Sequence, residues 1–132
     1  MKFKTDDQFN DWHNGKIAPK LKNIIKMVDC YMMAKYGYEI TVTETMRTQK
    51  QQDYIYRNSA RYKTDPWTSV HQGGYGVDLR TRDMDPQMIA DVVQLCNNIT
   101  YDENDLRRKT AQAHSVGSGF HLHIQCKYVK HR

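Results

Sequence analysis

Two stretches decide the fold of this chain: Ser69-Val-His-Gln-Gly-Gly-Tyr-Gly-Val-Asp78, and a late segment that reads Phe-His-Leu-His-Ile-Gln over residues 120–125. Side chains alternate between the two faces of a β-strand. His121 and His123 should therefore share one face of a late strand, while the apolar residues between them face the core. The same alternation around Asp78, which has apolar neighbours on both sides, places its carboxylate on the polar face of a second strand.

Together the two polar faces would bring His121, His123 and Asp78 onto a common surface. His71, in the glycine-rich turn before the strand of Asp78, could fold over to complete the group. Two imidazoles and one carboxylate that leave a fourth position open form the ligand set of a catalytic zinc ion. The alternative is structural, because an exposed strand face also tolerates histidine.

Length and composition favour one soluble globular domain spanning residues 1–132. The chain has 132 residues, of which 39% are hydrophobic and 27% are charged. No apolar run approaches the roughly 20 residues that span a bilayer, so we expect no membrane partner. No hydrophobic segment follows the N-terminal positive charges, which argues against a secretory signal. The cysteines are widely spaced and odd in number, which predicts buried free thiols and synthesis in a reducing cytoplasm: Cys30, Cys96 and Cys126.

The formal net charge of +5 favours a polyanionic partner. Nucleic acid is one such partner, an anionic bacterial wall polymer is another, and simple solubility is the alternative to both. Basic residues do not cluster in one predicted helix, which disfavours nucleic acid. A nucleic-acid-binding domain would also predict salt-sensitive DNA affinity and no zinc.

Hydrophobic periodicity predicts helices and strands in alternation along the chain. Apolar residues at helical spacing predict a helix that starts at Pro19 and stops at Gly37. Alternation predicts a strand over 38–46, and Thr48 is a candidate N-cap for a helix that runs to about residue 60. A polar, turn-rich segment is then expected over 61–74.

The second half continues with a strand over 75–81 and a helix that starts at Asp85 and Pro86. Residues 100–119 are polar without periodicity and predict a long loop. The last strand is expected over 119–127. Strands separated by helices without a βαβ rhythm predict an α+β fold with an antiparallel sheet backed by helices.

One segment resembles a known metal motif. Ser69, His71, Gly74 and Asp78 match the pattern Ser-x-His-x-x-Gly-x-Ala-x-Asp of the zinc D-alanyl-D-alanine peptidases, with Gly76 in place of the usual alanine. This family includes carboxypeptidases and phage L-alanyl-D-glutamate endopeptidases of the endolysin type, and it shares its fold with the hedgehog signalling domain.

Two further matches occur in the family order. The late His-x-His motif of the family is matched by His121 and His123. Upstream, family members carry an arginine after a strand and a glutamine shortly behind it, which Arg47 and either Gln51 or Gln52 reproduce. The three matches span about residues 41–125, which is most of the chain.

The resemblance implies a hedgehog/DD-peptidase-like fold and one zinc ion per chain, held by His71, Asp78 and His123. Zinc would lower the pKa of a bound water and polarise a peptide carbonyl. Arg47 would contact the substrate and supply positive charge where the attacked oxygen becomes negative. Ser69 would bind substrate or orient the loop, although it can equally be a turn residue.

The chain departs from the family pattern at the proton acceptor. Many relatives carry Glu or Asp three residues before the last histidine ligand, and here that position is Phe120. The resemblance leaves His121 as the candidate general base. The other groups that could take the proton are His114 and the carboxylates of the predicted loop, Asp102, Glu103 and Asp105.

By this resemblance, the function is that of a zinc-dependent peptidase that cleaves peptidoglycan stem peptides or cross-links. The enzyme would be made without a signal peptide, act as a monomer and reach the cell wall after release, in a phage or prophage context. The competing interpretation is a non-catalytic cell-wall-binding module that retains the fold, with or without zinc, because Phe120 cannot take a proton.

Overall fold

The computed structural model describes residues 1–99, 109–115 and 119–126. Within these ranges the helices are α1 (Asp6–His13), α2 (Pro19–Tyr36), α3 (Gln49–Ile55), α4 (Ala60–Thr64) and α5 (Pro86–Ile99), with a 3₁₀ helix at Val70–Gly73. The strands are β1 (Lys2–Phe3), β2 (Thr41–Glu44), β3 (Gly76–Leu79), β4 (Ala111–Ser115) and β5 (Phe120–Gln125). The chain is therefore α+β, as the sequence predicts.

The sheet is mixed, so the predicted antiparallel arrangement holds for three of its four strand pairs and is wrong for the pair β1–β2. The strand order is β1-β2-β3-β5-β4, and β1 runs parallel to β2 while the other pairs are antiparallel. The backbone N–H groups of Lys2 and Lys4 donate to the carbonyls of Ile40 and Val42, both at 2.8 Å. A parallel neighbour needs a crossover connection, and α1 and α2 supply it here. The sequence suggested only a polar lead-in at this end of the chain.

One face of the sheet packs against α2 and α5. The predicted helix from Pro19 to the stop at Gly37 is confirmed, and Gly37 has the left-handed φ of 61° typical of a C-cap. No described helix is both long and apolar enough to cross a membrane. The buried apolar side chains of the two helices are Leu21, Ile24, Ile25, Val28, Met32, Met88, Val92 and Cys96. Those of the strands and the residue before β2 are Ile40, Val42, Val77, Leu79, Ala111, Leu122 and Ile124.

Several predicted boundaries are wrong. β4 lies inside the predicted loop 100–119, because its core-facing residues Ala111 and Ala113 are too small to give a strong alternation. The predicted helix after Thr48 ends at Ile55, and α4 and the 3₁₀ helix lie in or near the segment expected to be loop.

The cysteines are free thiols. Cys96 is buried against α2 and the sheet, and burial raises the pKa of its thiol to about 12. Cys126 is half-buried. Cys30 is exposed on α2, so the expectation that all three are buried is wrong for this residue.

Gly74 joins the end of the 3₁₀ helix to the segment before α2. Its φ is 76°, and a Cβ atom there would lie 2.0 Å from the backbone oxygen of Lys16. The N–H of Ala18 donates to the Gly74 carbonyl at 3.0 Å. Only glycine satisfies both the backbone conformation and this close approach.

We expect Gly74→Ala to lower the free energy of unfolding by at least about 3 kcal/mol, because the positive φ and the clash with Lys16 add. Gly37→Ala is the matched control, since its φ is also positive but no atom lies within 4 Å of the added Cβ. It should cost only about 1 kcal/mol. Chemical denaturation measures both, and equal losses would contradict the close approach.

Candidate metal centre

The open face of the sheet carries a row of polar side chains. In the register of β3 and β5, Asp78 pairs with His123 while Leu79 pairs with Leu122. In the register of β5 and β4, Gln112 pairs with His123 and His114 pairs with His121. The leucines point to the helices, and alternation therefore turns the histidines and Asp78 to the open face.

Two predicted residues, His71 and His123, converge on one carboxylate oxygen of a third, Asp78. The Nε2 atom of His71 lies 3.3 Å from Oδ1 of Asp78, and Nδ1 of His123 lies 3.0 Å from the same oxygen. His71 and Asp78 are almost fully buried, with 3% and 2% of their surface exposed, and His123 is half-buried. Of the described residues, these three form the cluster of His, Cys, Asp and Glu side chains that could hold a metal ion.

Each imidazole has one ring nitrogen that faces Asp78 and one, the outer nitrogen, that faces away from it. The hydrogen bond made by the outer nitrogen bears on whether the other nitrogen carries a proton. Nδ1 of His71 lies 3.0 Å from the carbonyl of Thr45, which can only accept, so a neutral His71 donates from Nδ1 and leaves Nε2 unprotonated. Nε2 of His123 lies 3.0 Å from Oε1 of Gln125, and in the tautomer that donates there Nδ1 is unprotonated. Such outer partners orient the imidazole ligands of metal sites.

The charges of the cluster support binding of a cation. Burial alone would raise the pKa of Asp78, but the charge of His71 and hydrogen bonds from His123 and His71 hold it far below its ordinary value. Burial would lower the pKa of His71, but the charge and hydrogen bond of Asp78, with the charge of Glu44, outweigh it and raise that pKa. A proton on His71 therefore competes with a metal ion for the same position.

The residues fit zinc. With bonds of 2.0–2.2 Å to nitrogen and oxygen, neighbouring ligand atoms of a tetrahedral zinc ion lie about 3.3 Å apart. The two distances to Oδ1 of Asp78, 3.3 and 3.0 Å, are close to that separation between ligand atoms. Two imidazoles and one carboxylate are also the donor types of catalytic zinc sites.

Ser69 holds His71 in place through the N-terminus of the 3₁₀ helix. Its Oγ accepts the backbone N–H of His71 at 3.2 Å, and its own N–H donates to Oε1 of Gln72 at 2.9 Å. Ser69 also lines the pocket beside the cluster. The structure thus gives Ser69 a positioning task, and its predicted contact with substrate stays a prediction.

A β-bulge brings Glu44 to the site. Val42 pairs with Leu79 and Glu44 pairs with Asp78, so β2 has one extra residue, Thr43, whose hydroxyl donates to the Asp78 carbonyl at 3.3 Å. Strict alternation would place Glu44 on the core side with Val42. Sequence reasoning missed Glu44 because the bulge turns its side chain to the opposite face of the sheet. The only signal in the sequence was its position three residues before Arg47.

Arg47 lies in the pocket, as expected, but it is already engaged. Its Nε atom donates to Oε1 of Glu44 at 2.8 Å, Nη2 forms an ion pair with the same oxygen at 2.6 Å, and Nη1 donates to Oε1 of Gln52 at 2.6 Å. Its backbone N–H also donates to the His71 carbonyl at 3.0 Å. Only 8% of Arg47 is exposed. Arg47 therefore ties β2 to the 3₁₀ helix, and its two other N–H groups remain for a ligand.

The cluster opens into a pocket of about 250 Å³. His71, Asp78 and His123 lie on its wall together with the imidazoles of His114 and His121. The remaining lining residues are Lys4 directly after β1, Thr43 and Glu44 of β2, Arg47 before α3, Ile55 and Tyr56 at the end of α3, and Ser69 before the 3₁₀ helix.

His121 lies beside the cluster and lines the same pocket. Its Nδ1 lies 2.8 Å from the Gly119 carbonyl, so a neutral ring donates there and leaves Nε2 free, 3.4 Å from Oδ2 of Asp78. The ring of His114 lies 4.7 Å from that of His121, and burial with the charges of His121 and His123 lowers its pKa.

Phe120, at the position of the carboxylate in many relatives of the resembled family, does not face the cluster. Phe120 is 56% exposed and lies at the start of β5, where alternation turns it away from the face of His121. The three loop carboxylates, Asp102, Glu103 and Asp105, lie outside the described residues.

Comparison with known proteins gave no match to a protein-family model, to a curated protein or to a solved structure.

We expect the purified protein to bind close to one equivalent of zinc. His71→Ala and His123→Ala should each weaken binding by more than about 100-fold, because each removes a direct ligand. Elemental analysis and competition with a chromogenic chelator measure this. His13→Ala, at the exposed end of α1, is the control and should bind like the wild type. A full equivalent retained by both site variants would contradict the ligand assignment.

The glycine that replaces the family alanine gives a second test. A Cβ at Gly76 would lie 2.5 Å from Cγ2 of Val70 and 3.1 Å from Cε1 of His123. Gly76→Ala should weaken zinc binding by about 10-fold by pressing on His123. The Val70→Ala/Gly76→Ala double variant should recover most of this loss, and Val70→Ala alone should change little. An equal loss in the single and double variants would show that Val70 does not set the spacing.

Proposed function

We propose that the protein is a zinc-dependent peptidase that cleaves peptidoglycan stem peptides or cross-links, with a hedgehog/DD-peptidase-like fold. The observation that carries the proposal is the convergence of His71, Asp78 and His123 beside an open pocket that also holds Nε2 of His121. A purely structural metal site would be closed by a fourth protein ligand, whereas this cluster faces a cavity. The motif resemblance supplies the substrate class.

The ligand residues prepare the site for a Lewis acid. His71 and His123 would hold the ion with Asp78, and Thr45 and Gln125 would keep the two imidazoles in the required tautomer. A bound zinc ion supplies polarisation of the peptide carbonyl and a lowered pKa for the attacking water.

His121 would move the proton. Its Nε2 atom accepts a proton from the attacking water, while Nδ1–H stays bonded to the Gly119 carbonyl. The imidazolium that forms lies 3.4 Å from Oδ2 of Asp78, whose negative charge stabilises it. The same Nε2–H can then donate to the leaving amine.

Arg47 would provide positive charge at the rim of the same pocket. Glu44 and Gln52 fix its guanidinium, so its free N–H groups point in one direction without a further loss of entropy. Because Arg47 is buried and paired, its removal should also cost stability.

The proposal is tested by incubating the zinc-loaded protein with purified peptidoglycan and identifying the products by mass spectrometry. His121→Gln should keep zinc but lower kcat/KM by about 10²- to 10⁴-fold, because it removes the proton acceptor. His13→Gln is the control and should keep full activity, since this side chain is exposed and belongs to α1.

The outcomes separate the alternatives. If His114→Gln abolishes turnover while His121→Gln does not, the base is the histidine of β4. If the zinc-loaded wild type releases no product but still binds the wall, the protein is the non-catalytic binding module instead.

A further inference from the structure

One charged group on the pocket wall has no ion-pair partner among the described residues. The carboxylate of Glu44 is paired with Arg47, and Asp78 is surrounded by three imidazoles. The remaining charged residue on the pocket wall is Lys4. Among the described residues, no carboxylate lies within ion-pair distance of its ammonium group.

The fold places Lys4 on this wall. Phe3 points into the core, where its ring meets Trp12 at a centroid distance of 6.0 Å, so the residue after it turns to the open face of the sheet. The N–H of Lys4 donates to the Val42 carbonyl at 2.8 Å, which fixes its backbone beside the strand that carries Glu44.

Lys2 lies two residues earlier and offers a comparison. Its ammonium is 3.8 Å from Oε1 of Glu39, and it borders a neighbouring depression, not the pocket. Lys4 borders both the pocket and the depression, but Glu39 already forms ion pairs with Lys2 and the N-terminal amine. Lys2 in β1 and Lys4 directly after it therefore carry the same charge two residues apart, and they differ in that, among the described residues, only Lys2 forms an ion pair with a carboxylate.

We propose that Lys4 is a specificity-determining residue that binds a free carboxylate of the substrate, so that the pocket takes acidic peptides. The inference rests on the proposed peptidase function and deepens it. Stem peptides offer two such carboxylates, that of the C-terminal D-alanine and the free carboxylate of a D-glutamate linked through its side chain. Cleavage next to either group is thereby favoured over cleavage within a cross-bridge that has no carboxylate at that place.

The test compares three synthetic stem peptides on the zinc-supplemented full chain. One carries both carboxylates, one has an amide at the C-terminal D-alanine, and one has the D-glutamate carboxylate amidated. Lys4→Met should lower kcat/KM for the acidic peptide about 5- to 10-fold and leave bound zinc unchanged. One amidated peptide should already show this lower kcat/KM with the wild type and no further decrease with Lys4→Met. The carboxylate missing from that peptide is the one that Lys4 binds. The wild-type preference should also shrink as salt rises.

Lys2→Met is the matched control and should leave all three peptides unaffected. An equal effect of Lys4→Met on all three peptides, or none on any, would overturn the inference while leaving the peptidase function intact. Calorimetric binding of the same peptides separates the two proposals. Carboxylate-dependent binding that Lys4→Met removes, without hydrolysis, would overturn only the peptidase function. Absence of binding to any of the peptides would overturn both.

Discussion

Two imidazole nitrogens and a carboxylate oxygen meet inside the protein, and positive charge between them stabilises this arrangement. The nitrogens of His71 and His123 that face away from Asp78 each lie within hydrogen-bond distance of an acceptor, and when they donate there, the nitrogens that face Asp78 carry lone pairs. A buried carboxylate such as Asp78 cannot be left beside two acceptors without cost. Protons can fill the space, which explains the raised pKa of His71, and a divalent cation fills it better because one ion serves all three atoms.

The rest of the fold supplies the rigidity that this convergence needs. Asp78 and His123 are paired residues of adjacent central strands, so sheet register sets their separation. His71 comes from a 3₁₀ helix that is held by the Ser69 cap on one side and by the contact of Gly74 with Lys16 on the other. Strands and capped turns hold side chains more precisely than open loops do.

The sequence predicted the parts of the site that depend on regular alternation. His121, His123 and Asp78 face the same way because large apolar neighbours bury the other face of each strand, as periodicity indicates. The sequence did not predict the parts of the fold where the backbone departs from regular alternation or where the pattern is weak. Glu44 reaches the pocket through a bulge, which leaves no periodic signal, and β4 has alanines in place of large core residues. The parallel edge strand β1 was missed because its two residues are too few to show a pattern.

The same alternation explains why Phe120 need not count against catalysis. Position 120 shares the face of Leu122, so a carboxylate placed there would point away from Asp78 while β5 keeps its register. A proton acceptor must come from the open face, and the adjacent residue, His121, is the one with a free nitrogen near Oδ2 of Asp78. An acceptor at 121 differs from a carboxylate in charge: it is neutral before it accepts the proton and cationic afterwards. In the proposed mechanism Asp78 would have two tasks, since Oδ1 faces the two imidazoles proposed as metal ligands while Oδ2 would stabilise the cation formed at His121.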